Sequence, residues 1–158
     1  MALNERERFM NMALELAHEA ALAGEVPVGC VIVRDGAVVG AGRNRKEEGG
    51  NPLRHAEMVA IESACAAVGD WRLSDCALYV TLEPCPMCAG AILNARLGTV
   101  VYGASDPAFG ACGGVMNLFE EAFGHRPRLY GGVLGDICAE ALRDFFGGLR
   151  KAEQDGKL

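Results

Sequence analysis

Two short segments of this chain contain side chains that could bind a metal ion and move a proton. The first reads His-Ala-Glu from His55 to Glu57, and the second reads Pro-Cys-Pro-Met-Cys and supplies Cys85 and Cys88. One imidazole and two thiolates suit zinc, and three protein ligands leave the fourth tetrahedral position open to water, as in catalytic sites. Zinc lowers the pKa of such a water to about 7. Glu57 is therefore interpreted as the carrier of that water's proton and not as a ligand.

Both segments are expected at the N-termini of helices. Pro86 suits the first position of a helix. Cys85 and Cys88 then lie around the first turn, where free N–H groups and the positive end of the helix favour thiolates. An apolar run follows His55, so a second helix N-terminus should face the same metal. The alternative is a cysteine pair in a buried helix beside an unrelated histidine, but the His-x-Glu motif and Pro84 favour zinc.

The composition is that of a soluble globular protein, with 158 residues, 51% hydrophobic and 23% charged. This length suits one domain with a substantial core. No apolar run reaches the ~18 residues of a membrane span, and the charged start of the chain lacks a signal-peptide core. We therefore expect a cytoplasmic protein that makes no membrane contact. The net charge of −6 and pI of 5.1 argue against a protein that coats nucleic acid non-specifically.

The cysteines outside the metal motif are expected to be thiols. Seven is an odd number, which argues against a closed disulfide framework. The remaining five lie among small apolar residues and are expected to be buried: Cys30, Cys65, Cys76, Cys112 and Cys138.

The elements that must position the metal motifs alternate between helical and strand patterns. We predict helices over 5–23, from 55 to about 68, from the second metal motif to about 96, and over 136–150, with a helical turn in 116–123. Predicted strands cover 26–33, 37–43, 78–82, 99–102 and 128–133, with loops at 44–54 and 103–114 and a frayed tail at 151–158. This order predicts one α/β domain over residues 1–158, a sandwich in which helices cover a mixed sheet of about five strands.

The chain resembles the cytidine deaminase superfamily, and within it the tRNA-specific adenosine deaminases. The two metal motifs are typical of zinc-dependent nucleobase deaminases in general. The closer resemblance rests on longer runs at 25–29, 42–45, 78–85, 88–92, 103–106, 116–118 and 132–134, and on Asp144-Phe145-Phe146. It implies a three-layer α/β/α sandwich and hydrolytic deamination of adenosine to inosine at the wobble position of tRNA anticodons. It also implies one Zn²⁺ per subunit and a homodimer that binds the anticodon loop near the subunit interface.

The resemblance also assigns roles to individual residues. The implied zinc ligands are His55, Cys85 and Cys88, with Glu57 as proton carrier. The implied substrate-binding residues contact the extruded adenine or its flanking nucleotides: Asn44, Ala56, Val28, Pro27, Pro84, Asp106, Phe146 and Arg150. These roles make physical sense, because a base must leave its stack to react and an anticodon loop offers unpaired bases. An asparagine amide offers both a donor and an acceptor to a purine edge.

Other interpretations of these residues stay open. Asn44 could be a turn-forming residue, Asp106 before Pro107 could simply begin a turn, and Phe145 or Phe146 could pack in the core. Segment 108–111 is apolar where several relatives have a lysine, which argues against a phosphate contact there. The remaining candidates for a phosphate-binding surface are Arg43, Arg45, Lys46, Arg54, Arg126, Arg128, Arg143, Arg150 and Lys151.

The sequence also allows two other functions. The same zinc chemistry would serve a deaminase of free guanine, cytosine, cytidine or dCMP. A second rival is a non-catalytic RNA-binding module stabilised by zinc. Glu57 argues against the module, because a structural zinc site normally has four protein ligands and no use for an additional carboxylate.

Overall fold

A computed structural model describes residues 4–156 as a five-stranded mixed sheet between two layers of helices. The strands are β1 (Gly29–Arg34), β2 (Ala37–Arg43), β3 (Cys76–Leu82), β4 (Thr99–Ala104) and β5 (Arg128–Tyr130). The helices are α1 (Glu5–Leu22), α2 (Lys46–Gly49), α3 (Ala56–Val68), α4 (Pro86–Asn94) and α5 (Gly135–Gln154), with a 3₁₀ turn at Leu118–Glu120. The predicted three-layer sandwich is confirmed.

The strand order is β2-β1-β3-β4-β5. Strand β1 pairs antiparallel with both β2 and β3, whereas β3, β4 and β5 run parallel. The β1–β2 turn contains an Asp-Gly pair, and both Asp35 and Gly36 adopt positive φ, as hairpin turns of this type require. Helix α4 connects the parallel strands β3 and β4, so the second metal motif begins at the carboxyl end of β3, a common position for ligand sites in α/β sheets.

Two hydrophobic clusters hold the layers together. Helices α1 and α5 pack on one face of the sheet, while α3 and α4 pack on the other. The contact between α3 and β2 is especially close because small residues face each other. A Cβ added at Gly42 would lie 2.7 Å from both the carbonyl oxygen of Ala56 and the amide nitrogen of Ala60. This close packing fixes the start of α3, where the first metal motif lies.

Several predicted boundaries were wrong. Helix α5 continues to Gln154, so half of the predicted frayed tail is helical, and residues 157–158 lie outside the described residues together with 1–3. The predicted 44–54 loop contains the short helix α2, and β5 ends at Tyr130 instead of 133. Helix α4 ends at Asn94, slightly before the predicted end at about 96, and Arg96 adopts positive φ after it.

The buried-thiol prediction holds for Cys30, Cys76, Cys112 and Cys138, but Cys65 is only half-buried. Among the described residues, none of the helices combines the length and the apolarity that crossing a bilayer requires. The assignment of the whole chain to one domain stays a prediction.

Candidate active site

Three candidate metal ligands meet where two helices begin. His55 is the N-cap of α3 and Cys85 is the N-cap of α4, with Pro86 at the start of that helix and Cys88 on its first turn. The His55 Nδ1 atom lies 3.6 Å from Cys85 Sγ and 3.5 Å from Cys88 Sγ, and all three ligand atoms lie within 4.8 Å of one another. The predicted convergence of two helix N-termini is confirmed.

These separations fit a tetrahedral zinc ion. With zinc–nitrogen and zinc–sulfur bonds of about 2.0 and 2.3 Å, tetrahedral geometry places a nitrogen ligand about 3.5 Å from each sulfur ligand. The residues present therefore match the donor type, number and spacing that zinc requires. Within the described residues, no further histidine, cysteine or carboxylate joins these three ligands, so the fourth coordination position of the metal is left for water.

The electrostatics of the cluster favour metal binding. A hydrogen bond from Cys88, together with the neighbouring His55, lowers the pKa of the Cys85 thiol to about 4. Its thiolate is the form that coordinates a metal. The hydrogen bond between His55 and Cys85 raises the pKa of the imidazole, so the ring loses a proton when it becomes a ligand.

Glu57 lies on the first turn of α3, buried and beside the ligands. Its burial raises the pKa of the carboxyl group to about 7, partly offset by a hydrogen bond from its own backbone N–H. A carboxyl group whose pKa lies near neutrality can both accept and return a proton, which is what a general acid–base residue must do.

A cavity of about 550 Å³ opens beside the metal cluster. Its volume falls within the ~300–1,000 Å³ typical of sites for small organic ligands, so it can hold a purine. The predicted site residues that line it are Val28, Asn44, His55, Ala56, Glu57, Cys85 and Asp106. Pro27 and Pro84 are buried next to lining residues without lining the cavity themselves, and their contact with a substrate stays a prediction.

Two chain segments form the walls of this cavity. One is the segment 44–50, which carries Asn44 and Lys46, and we call it the α2 wall. The other is the glycine-rich segment 105–114, which carries Asp106 and Phe109, and we call it the glycine-rich wall. Asn44 lines the cavity, so its side-chain amide lies where a bound ligand could meet it.

In this structure the Asp106 side chain stabilises a turn, which agrees with the alternative interpretation given above. Its Oδ1 atom accepts hydrogen bonds from the backbone N–H groups of Ala108 and Phe109 at 3.0 and 3.1 Å. The carboxylate thus organises the tip of the glycine-rich wall while it faces the cavity. A contact between Asp106 and a flanking nucleotide stays a prediction.

Phe146 and Arg150 lie on the exposed part of α5 and do not line the cavity. Phe146 is 41% exposed and meets the half-buried Phe145 edge to face, with ring centroids 5.5 Å apart. Phe145 is half-buried without belonging to either hydrophobic cluster of the described residues, and Phe146 remains accessible from solvent. Nucleotide contacts by Phe146 and Arg150 stay predictions.

The sequence interpretation missed the two glutamates that hold the walls, Glu25 and Glu83. The buried Glu25 carboxylate accepts the N–H groups of Glu47 and Glu48 at 2.9 and 2.7 Å, and so caps α2. The Glu83 carboxylate likewise accepts hydrogen bonds from backbone N–H groups of the glycine-rich wall. One signal could have identified them, since each carboxylate stands beside a predicted strand with no basic neighbour in sequence.

The structure narrows the candidate phosphate-binding surface. Arg43 is paired in a bidentate manner with Glu48 at 2.9 and 3.0 Å, and Arg54 pairs with Glu62 at 2.7 Å. Among the described residues, Lys46 forms no salt bridge, although it lines the cavity. Lys46 is therefore the cation best placed to meet a phosphate of a bound substrate.

Comparison with known proteins identifies the family. The family model for the cytidine and deoxycytidylate deaminase zinc-binding region matches residues 3–104, which include both metal motifs. The tRNA-specific adenosine deaminase of Bacillus subtilis is 44% identical over 153 residues, which cover 96% of this chain and 95% of that protein. The tRNA(Ile)-lysidine synthase of Deinococcus radiodurans is 50% identical over 147 residues, but this chain spans only 25% of its length.

Solved structures show the same relationship. One structure, from work on A-to-I editing by tRNA:A34 deaminases at the wobble position of transfer RNA, matches with a TM-score of 0.82 and 43% identity, covering 85% of this chain and 99% of that chain. A guanine deaminase from Bacillus subtilis matches with a TM-score of 0.60 and 46% identity, covering 63% of this chain and 64% of that chain. The family match, the near-complete coverage and the metal geometry agree. This chain belongs to the zinc-binding cytidine and deoxycytidylate deaminase family.

Proposed function

We propose that this protein is a zinc-dependent hydrolase that converts adenosine to inosine at the wobble position of a tRNA anticodon and releases ammonia. The observation that carries the proposal is the near-complete mutual coverage with the tRNA-specific adenosine deaminase of Bacillus subtilis. The complete cluster of histidine and two cysteines beside a buried glutamate adds chemical support. This chain spans only about a quarter of the length of the two Deinococcus relatives, whose names also refer to tRNA.

The reaction replaces the exocyclic amino group at C6 of adenine with oxygen from water. When bound by His55, Cys85 and Cys88, zinc acts as a Lewis acid that makes the attacking water acidic. Glu57 accepts a proton from this water and delivers it to the ring nitrogen N1. It then takes the second proton of that water from the new C6 hydroxyl and passes it to the amino group, which leaves as ammonia while the C6 carbonyl forms, so the Glu57 carboxylate is regenerated.

The remaining side chains of the cavity bind and orient the base. The side-chain amide of Asn44 can donate to and accept from a purine edge, while Val28 and Ala56 provide an apolar surface against the ring. The two walls enclose the base and exclude bulk water. An anticodon loop suits this arrangement because its bases can be extruded at low cost.

The decisive experiment measures inosine formation in an anticodon stem-loop with A at the wobble position. We expect inosine and ammonia from this RNA and no product from a matched stem-loop with G at that position. Absence of inosine from the A-bearing RNA at micromolar enzyme concentrations would refute the proposal.

A free-base deaminase, in particular one that acts on guanine, is the alternative. The 46% identity with a guanine deaminase over 63% of this chain favours it, and the cavity of about 550 Å³ admits a free purine as readily as an extruded one. Incubation with free guanine, free adenine and the stem-loop in parallel distinguishes the two. Ammonia from guanine alone would favour the alternative.

We also infer a cytoplasmic homodimer that binds the anticodon stem-loop. Large apolar side chains exposed in the segment 115–123, which follows the glycine-rich wall in sequence, support an interface there, because Val115 is 61% exposed and Phe123 is 62% exposed. Sedimentation of the purified protein tests the assembly. A mass equal to one chain at micromolar concentration would contradict the dimer.

A further inference from the structure

Glu83 lies between the end of β3 and the second metal motif, where its carboxylate is buried. Its Oε1 atom accepts the backbone N–H of Asp106 at 3.0 Å, and its Oε2 atom accepts those of Cys112 and Gly114 at 2.9 and 2.8 Å. Among residues 4–156, no lysine, arginine or histidine forms a salt bridge with it. Backbone N–H groups from three positions of one loop therefore compensate this buried carboxylate.

The glycine-rich wall is shaped around that carboxylate. A Cβ added at Gly110 would overlap Glu83 Oε2, and one at Gly114 would lie 2.8 Å from Oε1 and overlap the Asp106 carbonyl oxygen. Glycine is therefore required at both positions, because a side chain there would collide with Glu83 or with the Asp106 backbone. The loop also donates from Ala111 N–H to the Pro84 carbonyl oxygen at 2.8 Å. These contacts tie the wall directly to the turn that carries the first cysteine ligand.

The wall held in this way contributes Asp106 and Phe109 to the cavity. Ala111 and Cys112 anchor the inner part of the wall in the larger hydrophobic cluster. Phe109 is 70% exposed and packs little against the core, so the outer part of the wall depends on hydrogen bonds for its position. All three carboxylate contacts are backbone bonds from within the same ten-residue segment, 105–114. Loss of the carboxylate would leave these N–H groups without partners, and the segment would open to reach water.

We propose that Glu83 is a positioning residue, whose carboxylate holds the glycine-rich wall in the conformation that binds the substrate nucleotide. This inference rests on the proposed function for the identity of the substrate. Glu83 takes no part in proton transfer, because its acceptor sites face backbone donors. If the wall is closed in only a fraction of molecules, the apparent substrate affinity falls to that fraction of its full value, while the rate of the bound complex changes little.

The test compares Glu83→Ala and Glu83→Gln with the wild type. In Glu83→Ala we expect full zinc content, amide hydrogen exchange at 105–114 faster by about tenfold or more, and a KM for the stem-loop raised about tenfold, with kcat within about threefold. Glu83→Gln keeps one acceptor oxygen, so we expect a smaller rise in KM. The pH profile of kcat should be that of the wild type.

The control is Val101→Ala, which removes buried apolar volume from β4 on the sheet face that packs against α1 and α5. It should lower the melting temperature and leave both the exchange at 105–114 and the KM unchanged. Unchanged exchange at 105–114 in Glu83→Ala would overturn the proposal, as would a loss confined to kcat or an equal rise of KM in Val101→Ala. If the wild type forms no inosine, the proposed function fails, whereas the exchange measurement still decides whether Glu83 holds the wall.

Discussion

Glu57 lies beside three metal-binding side chains, yet its environment suits it to a different task. Burial raises the pKa of its carboxyl group to about 7, whereas a hydrogen bond from Cys88 lowers the pKa of Cys85 to about 4. The site therefore contains an anionic ligand and a group that can hold a proton near neutral pH. Such a division between neighbouring side chains is typical of active sites.

Replacing Glu57 with glutamine separates these tasks. Glu57→Gln keeps the shape of the side chain but cannot accept a proton, so kcat should fall by about 10² to 10⁴-fold while one zinc per chain is retained. Inosine formation and zinc content are measured on the same preparation. The matched control is Glu15→Gln on the exposed face of α1, which should behave as the wild type. Wild-type turnover in Glu57→Gln would contradict the proton-transfer role.

Cysteine substitution tests the ligand assignment. Loss of an outer-shell partner typically lowers metal affinity by about 10–100-fold, so removal of a ligand in Cys88→Ser should lower it by more than about 100-fold. Competition with a chromogenic chelator measures this affinity. Cys65→Ser, at a half-buried position on α3 outside the metal cluster, is the control. Equal zinc affinity in both variants would remove Cys88 from the ligand set.

At the scale of elements, local patterns predicted the helices and strands but not the contacts that hold the walls. Helical periodicity and Pro86 located α1 and the start of α4. Helix α2 is four residues long and depends on capping by Glu25, which lies 22 positions before Glu47 and could not be paired with it from local sequence. The same limit applies to Glu83, whose partners lie 23 to 31 positions later.

A pair of glycine substitutions tests how α3 is positioned. In Gly42→Ala the new Cβ would meet the backbone of Ala56 and Ala60 at 2.7 Å, and such overpacking costs about 1–3 kcal/mol. Since α3 starts at Ala56, zinc affinity should fall with stability. Gly147→Ala in α5 meets nothing within 4 Å and should stabilise the protein by about 0.5–1 kcal/mol.

Urea denaturation and zinc titration measure both effects. The opposite signs of the two alanine substitutions are the diagnostic result, since each adds the same methyl group. A Gly42→Ala variant as stable as the wild type would show that α3 can shift away from β2 at no cost.

At the scale of the whole molecule, a net charge of −6 must be reconciled with the polyanionic substrate that we propose. Arg43 and Arg54 are already neutralised by Glu48 and Glu62. Attraction to phosphate must therefore come from the candidate cations that form no salt bridge among the described residues, and of these Lys46 lines the cavity. Binding of this kind involves few phosphates and should show a shallow dependence on salt.

The variant Lys46→Ala tests the attraction between Lys46 and a phosphate of the stem-loop. Removal of one phosphate contact should weaken binding of the stem-loop and reduce the slope of log K against log salt by about 0.7–0.9. The control, Arg72→Ala, removes a cation that pairs with Asp70 at 3.2 Å and does not line the cavity, so its slope should equal that of the wild type. Free purine carries no phosphate, so Lys46→Ala should leave its binding unchanged. If the wild-type affinity for the stem-loop does not depend on salt, or Arg72→Ala lowers the slope as much as Lys46→Ala, the phosphate contact at the cavity is refuted.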